Sequence, residues 1–389
     1  MAQCPAKESI LKTTGDSFKS AHLERMLTNL TTSYKVYWLK GVFEEAVQGT
    51  SRVSFRKIVA RMVAEAWYPV VYFRLSLGAS DQIAGCIDHL REDYSLPSDL
   101  SQDEIIDVIM NATDRETIKR INNFQNYVPY RIIRPFYEYA LIKIKEERGK
   151  LPDSSIDAVI LNLNQQCVNG APYTFIPGEK AIDIQPEWIK YFQDNKLVIR
   201  GWLDMKLIEY LQARNPSVPA IPLKLRAPQK RNLIAAQRYW HQIIEDHEVT
   251  EIYTGLLLNE DNYEVLGPLS IDHFVPWSFV LHDEPWNLAP MFRNINSSKN
   301  DGLPPLDSLL QPFCAQQFDA LMTVRKLGGH KKIMESYLTI DARILEYDRT
   351  EASLEHFSKT LQNTIIPLHQ IALNQGFPLW IPPKMKMSS

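Results

Sequence analysis

One stretch, residues 271–303, constrains this chain more than any other: IDHFVPWSFVLHDEPWNLAPMFRNINSSKNDGL. It sets an Asp272–His273 pair at the end of an apolar segment, and Asn287, Asn296 and Lys299 follow. Side chains of these types can hold one hard divalent cation and one general base against a phosphodiester. Hydrolysis of such a bond requires a deprotonated water, neutralised phosphate charge and a stabilised leaving oxygen. A cation can serve the last two needs and an imidazole the first. Carboxylate and amide oxygens are the donors hard cations prefer.

The local pattern predicts how those residues meet. Residues 269–274 read as a strand, closed by Pro276. Asn287 opens NLAPM, a return strand, and residues 294–300 start a short helix. Neighbours on a strand point to opposite faces, so Asp272 and His273 imply a turn of the backbone if they are to share a phosphate. Asn296 and Lys299 fall on one helical face. A further strand-like piece is expected at 252–258, separated from the first by the turn-rich NEDN.

The order D-H, N-L, N-x-x-K-N resembles that of HNH, or ββα-metal, endonucleases, over roughly residues 252–303. The resemblance implies that His273 is the general base and that Asp272 and Asn296 are the metal ligands. It implies that Asn287 braces the loop carrying His273, and that Lys299 faces phosphate. The last signature residue is Asn rather than His, which suits Mg²⁺ or Mn²⁺ better than Zn²⁺. The stretch IYTGLLLNEDNYEVLG lacks the paired cysteines of zinc-clamped relatives, so no structural zinc is expected. Packing of Tyr253, Leu257, Phe274, Trp277, Phe279, Trp286 and Phe292 would hold the fold instead. His282, Asp283 and Glu284 read as solvated loop residues.

Outside this segment the chain reads as helix, so the expected fold is mainly α with a small embedded ββα-metal module. Its 389 residues allow two or three domains: a helical accessory region at 1–225, the HNH segment at 226–305 and a helical region at 306–389. Ser54 is an expected N-cap before FRKIVARMVAEAW, and Ser101 with Glu104 a capping box. Arg115–Asn123 and residues 135–148 are expected helices. Trp38, Trp67, Trp188, Trp202 and Trp240 are most simply core. In YVPYRIIRPFYEYALIKIK, Phe136, Tyr139, Leu141 and Ile144 read as a buried stripe.

Charge bears on partners. The chain carries a net charge of −3, whereas a stand-alone DNA binder commonly has a basic excess. Local basic patches must then do the work: Lys224, Arg226, Lys230, Arg231 and Arg238 form a candidate phosphate-facing strip. Arg325, Lys326, His330, Lys331 and Lys332 form a second cluster that reads as a surface loop. The resemblance implies a DNA substrate, duplex or single-stranded. The charge also points to a regulatory partner such as an ATPase, sensor or guide complex, and the large N-terminal region, without a second catalytic constellation, to substrate positioning, partner docking or a homo-oligomer. No apolar run is long enough for a membrane span and the N-terminal residues lack a secretory pattern, so a cytoplasmic protein is expected. The biological setting, by analogy, is a bacterial anti-phage or restriction effector. Rival readings are a non-catalytic nucleic-acid-binding scaffold with a relic HNH fold, and an RNA-cleaving toxin.

Overall fold

The computed structural model describes residues 20–228, 231–328 and 331–383. They divide into two compact units. One is built from residues up to Pro216 with Lys224–Ala227, the other from Ser217–Leu223 with Pro228 onward.

The first unit is helical around a three-stranded antiparallel sheet. Helix α1 (Tyr34–Val47) leads through β1 (Arg52–Ser54) into α2 (Phe55–Trp67). Ser54 Oγ accepts the Lys57 N–H at 3.2 Å and so starts α2 where the sequence places it. The capping box at Ser101 and Glu104 opens α3 (Gln102–Asn111), with both reciprocal bonds formed. The helix Arg115–Asn123 forms over its expected span. Strands β2 (Tyr173–Phe175) and β3 (Ala181–Ile184) complete the sheet, with β3 in the centre. Trp38, Trp67, Trp188 and Trp202 are buried here. The expected stripe at 136–144 is only partly buried: Phe136 and Leu141 are inside, but Tyr139 is 72% exposed. The helix there starts only at Glu138, after a turn at Arg134–Phe136, which rotates Tyr139 out of register with Phe136.

The second unit carries the small module. Helix α4 (Ile234–Asp246) buries Trp240. The expected strand at 252–258 is reduced to a turn at 252–254 and a single antiparallel bridge from Leu257 back to Thr250. The buried Glu251 carboxylate accepts the backbone N–H groups of Tyr253 and Thr254, at 3.1 and 2.7 Å, and curls the chain back on itself. The NEDN segment is likewise no loop. Asn259 caps α5 (Glu260–Leu266) through a 3.1 Å bond from Asn262 N–H. Gly267, at φ +84°, reverses the chain into the sheet; a Cβ there would sit 3.0 Å from the Asn294 side chain.

Strand β4 (Leu269–His273) then pairs antiparallel with β5 (Leu288–Phe292), aligning Asp272 with Ala289 and His273 with Leu288. Helix α6 (Arg293–Lys299) follows directly and packs on the pair, giving the ββα unit. All five residues of β5 are buried. One reason is α7 (Leu306–Leu327), whose Phe313 stacks on Phe274 at 4.1 Å between ring centroids. Its Gln317 donates to the Leu288 carbonyl at 2.7 Å. Helix α8 (Glu351–Asn374) packs along α7. The chain is therefore mainly helical with a small embedded ββα module, and among the described residues no helix is long and apolar enough to cross a membrane.

Candidate active site

The end of β4 and the start of α6 face one cleft of about 760 Å³. Its lining includes Asp272, His273 and Asn296, together with Arg231, Gln237, Trp277 and Asn300. Asp272 and His273 are only 4% and 3% exposed, so they lie at its floor. Both residues belong to the regular strand, without the turn expected between them.

Each side chain is held from a different direction. Asp272 accepts from the Tyr253 hydroxyl at 3.0 Å and pairs with Lys299 Nζ at 3.0 Å. Burial, reinforced by the acids Asp272 and Glu251, pushes the Tyr253 phenol well above its ordinary pKa, so it remains a donor. His273 Nε2 lies 2.9 Å from Asp283 Oδ1. Asn287 is fully buried and clamps one residue twice: its Oδ1 accepts the Val275 N–H and its Nδ2 donates to the Val275 carbonyl, both at 2.9 Å. That clamp fixes the turn leaving His273. Asn296 Nδ2 donates to Ser270 Oγ at 2.7 Å and to the Ile271 carbonyl at 3.3 Å. Anchoring the nitrogen in this way leaves the amide oxygen without a donor among the described residues.

Three expectations change. Lys299 does not reach for the surface. Its side chain is fully buried, and its ammonium bonds Asp272 and the His273 carbonyl, the latter at 2.8 Å. A buried ammonium needs an anion and carbonyls around it, and these are the nearest. Asp283 and Glu284 are not free loop acids. Asp283 pairs with His273 and Glu284 accepts from Ser336. His282 is half-buried against Trp286, and burial lowers its pKa. Trp277, expected in the core, is half-exposed on the cleft wall. The helical turn Trp277–Val280 instead buries Ser278, Phe279 and Val280.

The basic strip separates into parts. Lys224 and Arg226 belong to the first unit, Arg231 and Arg238 to the second. Lys224 is fully buried, and burial brings its pKa down to about 7, so it is no surface phosphate contact. Arg226 is engaged by Asp204. Arg238 is exposed on α4, and Arg231 lies over the Trp277 ring. Lys230 lies outside the described residues, as does His330 of the second cluster; Lys326, Lys331 and Lys332 of that cluster are exposed.

Residues 251–305 match the family model for HNH endonucleases. The chain carries an HNH module. The match spans the Glu251 turn, the β4–β5 pair, α6 and the cleft floor. The matched model is that of an endonuclease, so this segment is nuclease-type. A curated protein described as a type III pantothenate kinase, from Nostoc sp., is 32% identical over 82 residues. That alignment covers 19% of this chain and 29% of that protein's length. No solved structure matches the chain.

A second group of possible metal ligands was not visible in the sequence. His89, Asp93 and Asp114 of the first unit bring their ligand atoms within 4.8 Å of one another. Asp114 already caps a helix through the Thr117 N–H at 2.7 Å and accepts from the Tyr94 hydroxyl at 2.5 Å. His89 bonds Thr117 Oγ1 at 3.0 Å. These contacts account for the group as a structural network.

Proposed function

We propose that the chain is a divalent-metal-dependent endonuclease hydrolysing DNA phosphodiester bonds to 5′-phosphate and 3′-hydroxyl ends. The carrying observation is that Asp272, His273 and Asn296 line one cleft within the HNH module. The donor set fits Mg²⁺ or Mn²⁺. Asn296 presents a free amide oxygen, and Asp272 retains acceptor capacity, since a carboxylate offers about four lone-pair sites and three contacts use it here. When bound, the cation would neutralise phosphate charge and stabilise the leaving 3′ oxygen.

The chain's own groups supply the rest. His273 removes the proton of the attacking water. Because Nε2 faces Asp283, the proton-bearing nitrogen is Nε2 and Nδ1 is the base. Asp283 holds that tautomer and stabilises the imidazolium that forms. Asn287 keeps the turn, and hence the imidazole, in place. Lys299 holds the Asp272 carboxylate in place at the cleft floor.

The test is cleavage of plasmid DNA with Mg²⁺ or Mn²⁺ against the same reaction in EDTA. Nicked or linear product only with the cation is expected. Cleavage undiminished in EDTA, or no cleavage of any DNA form, would reject the proposal; cleavage of RNA alone would favour the RNA-cutting rival.

Asp283→Asn checks the assignment of the base. It should lower kcat by roughly 10- to 100-fold with KM nearly unchanged. That is less than the ~10⁴-fold seen when a buried triad aspartate is so changed, because Asp283 is 31% exposed and water can partly replace it. Equal kcat in variant and wild type would show that Asp283 does not position His273.

The regulated setting belongs to the same proposal. A net charge of −3 gives weak electrostatic attraction to DNA, which favours an effector delivered or released by a partner, as in anti-phage systems.

A further inference from the structure

The cleft is short of cations. Among its described lining residues Arg231 is the only lysine or arginine, while Asp272 and Asp301 are acidic. Lys299 is turned away and neutralised by Asp272. Duplex DNA carries one charge per ~1.7 Å of axis, and proteins that grip it do so mainly through rows of Lys and Arg. Among the described residues such a row is missing from this wall. What the wall offers instead is a half-exposed indole, an arginine laid over it, and the neutral polar side chains of Asn232, Gln237, Ser297 and Asn300.

The placement of the indole is not incidental packing. Pro276 ends the extended segment that leaves His273, so Trp277 opens the next helical turn at the cleft edge. Its turn-mates Phe279 and Val280 are buried, and Trp277 alone of the three is partly exposed, on the lining of the cleft. The Arg231 guanidinium carbon lies 5.3 Å from the indole centroid, which is cation–π range. A flat guanidinium over an indole makes a polarisable, sequence-tolerant surface of the kind on which unpaired bases stack. In a duplex the base faces are covered by their neighbours, so this surface is useful only for a base out of the stack.

We propose that Trp277, with Arg231, is a stacking platform for an unpaired base beside the scissile phosphate, so that the module prefers single-stranded or locally opened DNA to uninterrupted duplex. This rests on the nuclease reading of the same cleft. Stacking supplies the affinity that the cation-poor wall does not, and the neutral amides and hydroxyl around it meet base edges.

The experiment is fluorescence anisotropy of the full chain with a short end-labelled single strand and with a hairpin duplex, both in EDTA so that binding is read apart from cleavage. Two variants are compared with wild type. Trp277→Leu keeps an apolar side chain and removes the π face, and Trp277→Tyr retains a π face. Matched thermal transitions establish that both fold. Trp277→Leu should weaken single-strand binding by about tenfold or more and change duplex binding by no more than about twofold, while Trp277→Tyr stays within about threefold of wild type on the single strand. Single-strand affinity unchanged in Trp277→Leu, equal losses on both substrates, or a wild type that prefers duplex would each overturn the platform. The metal-supplemented cleavage assay separates the two ideas. A platform effect without cleavage by wild type would sink the nuclease reading and leave the platform standing, whereas cleavage without any Trp277 effect would do the reverse.

Discussion

His273→Ala should cut DNA about 10²- to 10⁴-fold more slowly than the wild-type chain at the same cation concentration, the usual contribution of a positioned general base. The prediction follows from where the imidazole sits. It is 3% exposed at the cleft floor, held on one nitrogen by Asp283 and followed by a turn that Asn287 clamps at both ends of Val275. No other histidine lines that cleft among the described residues. The alanine variant keeps the Asp272–Lys299 pair and the β4–β5 ladder. Its loss of stability should therefore stay near that of one hydrogen bond to a charged group, ~1.5–3 kcal/mol. Circular dichroism and the thermal midpoint test that part; initial rates on supercoiled plasmid test the other. Wild-type rates in the variant would remove His273 from the mechanism, and with it the role given to Asp283.

The parts of this site that could be read from sequence are those fixed by local order. The adjacency of Asp272 and His273, the return strand after Asn287 and the helix carrying Asn296 are consecutive in the chain, and each is short enough for pattern and spacing to define it. The caps at Ser54 and Ser101 were legible for the same reason, since a cap acts within three residues of itself. What could not be read depends on which long-range partner reaches a side chain first. Asp283 looks like any loop acid until the loop folds back on His273. Lys299 looks like a phosphate contact until the helix turns it onto Asp272. Residues 252–258 have strand-like composition, but the buried Glu251 carboxylate closes a turn with their backbone, an effect outside any hydrophobic period. Trp277 shows the converse. An aromatic in an apolar run reads as core by composition, and only the rotation set by Pro276 leaves it on the wall of the cleft.

Lys299→Met should destabilise the module by about 3–5 kcal/mol, the usual cost of leaving one member of a buried ion pair behind. The Lys299 side chain is fully buried and that of Asp272 is 5% exposed, so neither charge can recover its hydration in place. With the ammonium gone, Asp272 keeps only the Tyr253 hydroxyl, and the His273 carbonyl loses its 2.8 Å donor. Hydrogen exchange of peptides spanning β4 and β5 reads the loss where it occurs, without requiring the whole chain to unfold in one step. A surface phosphate contact would behave differently: its removal would leave exchange within about 0.5 kcal/mol of wild type and only weaken DNA binding. The double variant Asp272→Asn with Lys299→Met makes the argument sharper. Removing both charges should restore much of the stability lost in Lys299→Met alone, because no uncompensated ion remains. Cleavage should not return, because the carboxylate proposed to hold the cation is gone. Recovery of stability without recovery of activity would separate the two tasks of Asp272, and a double variant as unstable as the single one would refute the ion pair as the source of the cost.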